Sequence, residues 1–124
     1  MEGKGPRDIK ERTFEFALEV VRLCRKLNER PGVSRTLGKQ LLRSGTSIGA
    51  NIEEAQAGQS RADFINKYAI ALKEARETIY WIRLLHESRE YTDGKLTQIQ
   101  REAEEITKII GSIIVNAKKN LKSR

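Results

Sequence analysis

From Leu96 to Ala117 the residues Leu96, Ile99, Ala103, Ile106, Ile110, Ile113 and Ala117 recur at spacings of three and four without a break. Residues spaced in this way share one face of an α-helix, so the segment predicts a helix over about 95–119 with one continuous apolar seam. Its only weak point is Gly111, and the lysines near its end suit the negative pole of the helix dipole. A helix of this kind gains most of its stability by burying that seam against partners. The remainder of the chain must therefore supply them.

Three further segments answer that need. Asp8 with Glu11 forms a capping-box pattern, and a first helix is expected over about 9–28 with Phe14, Ala17, Val20, Val21, Cys24 and Leu27 inward. Pro31-Gly32 breaks it. Ser34 is placed to cap a second helix that runs to about Ala57, with Gly58 positioned to end it. Ser60 with Asp63 opens a third, to about Ser88, whose core stripe is Phe64, Tyr68, Ala71, Leu72, Ala75, Ile79 and Ile82. The turn 91–94 leads into the last. Four long helices with short connections must each run antiparallel to the next, so the fold class is all-α, an antiparallel up-down-up-down four-helix bundle. It is expected over 8–120, between a disordered tail at 1–7 and a frayed basic tail at 121–124.

The second helix is unusual. At about 100° per residue its central stretch, Gln40–Glu54, resolves into three stripes. Leu37, Leu41, Ile48, Ile52 and Ala55 form an apolar one. Gln40, Ser44, Ser47, Asn51 and Glu54 form a polar one, in which Ser47 and Asn51 are candidates for buried hydrogen bonds that fix helix register. Arg35, Lys39 and Arg43 form a basic one. Gly45 and Gly49 flank the apolar stripe, where a missing side chain admits another backbone; each costs a free helix about 1 kcal/mol relative to alanine. The third helix also carries a second apolar set, Ile70, Trp81, Leu84 and Leu85. A helix with two apolar faces is either central or at a subunit boundary. Each helix of a small bundle has one inside, so Ile70, Glu74, Glu77, Trp81, Leu84 and Leu85 are read as an oligomer interface.

Charge narrows the function. Lysine and arginine total 24 against 17 acids, a net +7. The excess is clustered: Arg22, Arg25, Lys26, Arg30, Arg35, Lys39 and Arg43 face one acid, Glu29, between positions 22 and 43. Such a cluster favours polyanionic partners, although a solvated face and a helix-end charge account for part of it. Arg22, Arg25, Lys26, Arg35, Lys39 and Arg43 are the candidates for phosphate contact. Aromatic residues are few and committed to packing, so base stacking is not indicated. Enzymatic chemistry finds little support. His86 is the sole histidine and Arg83, not a glutamate, stands three residues before it, so the Glu-x-x-His pattern of di-iron bundles is missing. With Cys24 alone, neither a zinc site nor an intramolecular disulfide is available, and a buried free thiol is expected. Glu74 and Glu77 are better explained by an ion pair of Glu77 with Lys73 and by an ordered polar contact at the interface, for instance with the neutral stripe of the second helix, than as an acid/base pair. The stretch GTSIGAN lacks the Gly-Lys-Ser/Thr ending of a phosphate loop. No cofactor, metal or small-molecule substrate is expected. The polar amino terminus has no leader pattern and no apolar run is long enough to span a bilayer, which gives a cytoplasmic expectation and no membrane partner.

Two stretches carry a resemblance: QLLRSGTSIGANIEEA, Gln40–Ala55, and SRADFINKYAIALKEARETIYWIRLL, Ser60–Leu85. They resemble the bacterial four-helix-bundle proteins encoded within intervening sequences of 23S ribosomal RNA genes. In the first the matching positions are Gln40, Leu41, Arg43, Ser44, Ser47, Ile48, Asn51, Ile52 and Glu54. In the second they are Asp63, Phe64, Lys73, Glu74, Ala75, Glu77, Thr78 and Trp81. The similarity continues, less specifically, over about 13–119. It implies a left-handed bundle that assembles into a ring, a homopentamer in the favoured form, and it implies no particular reaction. The fold is also similar to the basic, pentameric accessory proteins of diversity-generating retroelements, which associate with a reverse transcriptase and nucleic acid.

The expectation is a non-catalytic homo-oligomer that binds nucleic acid, RNA favoured, through phosphate contacts. The alternative is an oligomeric scaffold or adaptor for another protein, with incidental basic charge.

Overall fold

The computed structural model describes residues 6–57 and 60–122. They form four helices, α1 (Pro6–Asn28), α2 (Val33–Gln56), α3 (Arg61–Glu87) and α4 (Gly94–Lys122), and no strand among the described residues. The helices pack in a closed cycle α1–α2–α3–α4, with no close backbone approach across either diagonal among the described residues. Gly38 lies against Leu27, Gly45 against Val20 and Gly49 against Thr13, so positions fall along α1 as they rise along α2. Ion pairs repeat the pattern elsewhere: Lys67 meets Glu54 between α3 and α2, and Arg12 and Lys95 join α1 to α4 through Glu102 and Glu19. This is the expected antiparallel up-down-up-down bundle.

Helix ends depart from expectation in instructive ways. α1 begins at Pro6, a residue pre-organised for the first helical position, so 6 and 7 belong to the helix and not to a tail. Asp8 and Gly58, expected to cap α1 and to end α2, lie outside the residues whose side chains or structure are described. α4 likewise runs past Lys119 to Lys122. Ser34 does not cap α2. The N-cap is Gly32, at φ 96°, a backbone state that favours glycine, while Ser34 is buried and donates from Oγ to Glu90 Oε1 at 2.7 Å. The Ser60 cap is present: its hydroxyl accepts from the Asp63 N–H at 3.1 Å. At the end of α3 the chain reverses through Arg89, which holds φ 61°; its N–H bonds the His86 carbonyl and the Tyr91 N–H reaches back to Leu85.

The core is built from one stripe of each helix. On α1 that stripe is Ile9, Thr13, Phe16, Val20, Leu23, Cys24 and Leu27. Phe14, expected inside, is 59 % exposed. Two apolar stripes overlap on this helix, and the buried one passes through Phe16 and not Phe14; Ala17 and Val21 are left half-buried at its edge. On α4 the seam runs as expected to Ile110 and then takes Ile114 where Ile113 was expected. A 3.5-residue repeat drifts about 20° per heptad on a straight 3.6-residue helix, which accounts for the slip. Cys24 is buried; its thiol donates to the Gly38 carbonyl at 3.3 Å, and desolvation pushes its pKa up to about 12.

The α1–α2 contact is made through the glycines. A Cβ at Gly45 would stand 2.9 Å from Val20 Cγ1, at Gly38 3.1 Å from Leu27 Cβ, and at Gly49 3.3 Å from the Thr13 carbonyl oxygen. Val20 is stiff at χ1 and buried, so it has little freedom to yield. Gly45→Ala is therefore expected to lower stability to urea by about 1–3 kcal/mol despite its better helix propensity; a neutral result would mean that α1 and α2 separate freely. Arg89→Gly is expected to act oppositely, raising stability by about 0.5–1 kcal/mol as left-handed strain is relieved. The same denaturation curves decide it, and a loss of stability would show that Arg89 is not strained.

Candidate nucleic-acid interface and the acidic clamp on α3

The six basic candidates do not form one surface. Because α1 descends beside α2, the last turns of α1 lie next to the first turns of α2. Arg25 from α1 and Arg35 and Lys39 from α2 converge there on a shallow groove also lined by Val21, Asn28 and Leu42. Arg35 donates from Nε to the Asn28 carbonyl at 2.9 Å, which satisfies one of the orphan carbonyls at the end of α1 and aims the guanidinium across the groove. Arg25 and Lys39 are exposed and have no ion-pair partner among the described residues. Three cations from two helices thus face solvent together.

Arg22 and Lys26 turn toward the neighbouring groove between α1 and α4, which Arg25 shares and which Glu19, Glu29, Tyr91 and Lys95 also line. Arg22 is paired with Glu19 at 2.9 Å. Lys95 is a cation of this region that the sequence pattern did not single out, since nothing local sets the register of α4 against α1. Arg30 donates to the Glu90 backbone carbonyl and serves the α3–α4 turn.

Arg43, unlike Arg25 and Lys39, is held by acidic partners. It reaches across to α3, donating to Glu74 at 3.2 Å and to Glu77. Trp81 Nε1–H donates to the same Glu77 carboxylate at 3.0 Å. Glu74 and Glu77 therefore make their polar contact to the second helix, as anticipated, but through Arg43 of the basic stripe and not through the neutral stripe, and Arg43 takes the place expected for Lys73 at Glu77. Below them the Thr78 hydroxyl bonds Ser44 Oγ at 2.9 Å, buried between α2 and α3. That is the interhelical polar contact anticipated at Ser47 and Asn51. Those two instead bond inside α2, Ser47 to the Arg43 carbonyl at 2.6 Å and Asn51 to the Ser47 carbonyl at 2.8 Å. The stripe turns at Ser44 toward α3, and positions a turn further on lie nearer its rim. Gln40 is exposed, and Glu54 pairs with Lys67 at 2.8 Å.

Of the six positions read as an oligomer interface, Ile70, Glu74, Glu77, Trp81 and Leu84 are half-buried on the flank of α3 beside α2, where Trp81 packs against the core and Arg43 reaches Glu74 and Glu77; Tyr80 next to them is 53 % exposed. Leu85 is fully buried in the chain's own core and is withdrawn from that surface. It continues the stripe Tyr68–Ala71–Ala75–Thr78–Ile82 by three residues. Among the described residues no group of three or more His, Cys, Asp or Glu side chains converges as a metal ion would require, and no helix is long and apolar enough to cross a membrane.

The indole hydrogen bond, followed by that from Arg43, holds the Glu77 carboxyl below the usual carboxylate range. A depressed folded-state pKa stabilises the protein above the unfolded value and loses that contribution as pH falls through the folded one. Trp81 is the only tryptophan, so its fluorescence reports the event. Acid titration of the folded protein is expected to show an emission change centred below the ordinary glutamate range near pH 4.3. Arg43→Ala should move that midpoint upward, and an unmoved midpoint would show that Arg43 does not hold Glu77.

Comparison with known proteins agrees with this architecture. A family model described as 23S rRNA-intervening sequence protein matches residues 7–112. No curated protein matches. Among solved structures, a protein of unknown function from the S23 ribosomal protein family of Bacteroides thetaiotaomicron VPI-5482 is similar at 47 % identity and a TM-score of 0.81. The match covers 88 % of this chain and 96 % of that one. With the four-helix cycle and both sequence stretches in place, the chain belongs to the 23S rRNA-intervening sequence protein family.

Proposed function

We propose that this protein is a non-catalytic, cytoplasmic helical bundle that self-assembles and binds nucleic acid, RNA in preference to DNA. The observation that carries the reading is the convergence of Arg25, Arg35 and Lys39, without acidic partners, on one groove between α1 and α2. Cations about one helical turn apart along Arg35–Lys39 match a phosphate backbone in sign and periodicity. Lys26 extends the positive surface around α1, while Arg22 and Lys95 beside it are partly offset by Glu19. The groove is shallow and lacks an exposed aromatic platform, so recognition rests on charge and shape, as for structured RNA read through its backbone.

Self-assembly would use the half-buried flank along the α2–α3 seam, with Ile70, Trp81 and Leu84 as apolar contacts and the Arg43–Glu74–Glu77 clamp as an ordered polar element among them. A closed ring, a pentamer in the favoured form, repeats each basic groove around its axis and converts weak individual contacts into avidity. Solution mass should be a multiple of 14.2 kDa that falls for Trp81→Ala. A monomeric wild type overturns the assembly reading.

Binding to a structured RNA and to a matched DNA duplex, measured from about 50 to 200 mM salt, tests the other half. The log–log salt slope is expected to flatten by about one for each of Arg25→Ala, Arg35→Ala and Lys39→Ala, and to be unchanged by Arg43→Ala. A slope indifferent to the first three substitutions would overturn phosphate binding at this groove. An adaptor role would then be sought by co-purification after nuclease treatment.

A further inference from the structure

The α1–α2 surface carries a second groove that the function above does not use. At the opposite end from the basic one, Phe14 stands exposed among Glu11, Glu15 and Glu53. Lys10, the one cation lining the groove, meets Glu53 at 3.5 Å in a solvent-exposed pair, so Glu11 and Glu15 carry the excess negative charge. A phenylalanine left in water beside three carboxylates has no role in the fold of this chain. At about 100° per residue, Phe14, Val21 and Arg25 fall within about 40° on α1, and Arg35, Leu42, Thr46 and Glu53 within about 40° on α2. Both grooves therefore belong to one strip. It is acidic at one end, basic at the other, and floored between by Ala17, Val21, Leu42, Thr46 and Ala50.

We infer that this strip is an interface for a second copy of the same chain, docked antiparallel about a two-fold axis. A two-fold that crosses the strip perpendicular to the helices lays α1 on α1 and α2 on α2 in opposite directions. Phe14 then meets the apolar groove at the partner copy's Val21, which places the axis level with residues 17–18. Glu53 meets Lys39, which places the axis level with Thr46. These two requirements are independent, and they coincide: Gly45 lies against Val20 and Gly49 against Thr13, so Thr46 is itself level with Leu18. The same axis brings Glu11 to within one residue of Arg25. A two-fold running along the helices would instead set basic end on basic end. Charge thus selects the antiparallel arrangement.

The pairing is separate from assembly through α3, which sets the mass of a unit, whereas pairing doubles it. It also does not depend on phosphate binding; because it covers Arg25 and Lys39, pairing and nucleic-acid binding are alternative states of this face. The test uses two full-length variants, Glu11→Lys/Glu53→Lys, whose strip is basic at both ends, and Arg25→Glu/Lys39→Glu, whose strip is acidic at both ends. Their substitutions are at exposed positions, and circular dichroism verifies that each folds. By light scattering at low salt each variant alone is expected to have half the wild-type mass. An equimolar mixture should regain the full mass, since both ends are again complementary. Phe14→Ala should shift wild-type pairing toward the half mass, and added salt should do the same. Variants with the wild-type mass, or a mixture that stays at the variants' mass, would overturn the inference. The acidic end would then be a docking site for a different, basic protein.

Discussion

The structure depends on how closely α1 and α2 approach. Gly38, Gly45 and Gly49 give up side chains so that Leu27, Val20 and Thr13 can sit against the α2 backbone. The favourable term is dispersion and apolar burial along α1, which must exceed the helix propensity that three glycines forgo. The register follows directly. With Val20 seated at Gly45, the last turns of α1 fall beside the first turns of α2, and cations separated by a proline-glycine turn become neighbours. The thin contact also keeps the surface groove between the two helices shallow, which suits a broad ligand and not a small molecule.

On its other side α2 faces α3 through polar chemistry. The Ser44–Thr78 bond is buried and fully satisfied, and directly outside it Arg43 is held by two carboxylates. The ion pairs themselves are half in solvent and contribute little to stability. Their effect is on electrostatics: Arg43 is neutralised, so the positive field is confined to the α1 side of α2. One helix thereby presents a cationic flank to solvent and a zwitterionic flank to α3.

Most of the fold was legible in sequence because apolar spacing of three and four is a direct projection of helix geometry, and breakers such as Pro31-Gly32 separate the segments. Legibility failed where two answers fit one pattern. Phe14 and Phe16 lie on overlapping stripes, and only the position of α2 decides between them. Leu85 lies near both faces of α3, and the direction of the α3 stripe decides. The candidate site was legible as a list and not as a place. Arg35, Lys39 and Arg43 share a face of an isolated helix, but the register that delivers Glu74 and Glu77 to Arg43, or Arg25 to Lys39, is a property of pairs of helices. Charge counts along one segment do not contain it.

The four seams of the cycle are unequal, and that inequality has a kinetic meaning. Contact is densest between α2 and α3 and sparsest between α1 and α4, the two helices that carry the ends of the chain. Two surface grooves also follow the α1–α4 seam, lined in part by Leu23, Phe16 and Ile99. Three strong seams thus hold the helices in series, and a weak fourth closes the bundle. Sub-global opening should start at that edge, and native-state amide exchange should find the slowest protons in the middle of α2 and α3. Equal protection across all four helices would instead make the bundle a single cooperative unit.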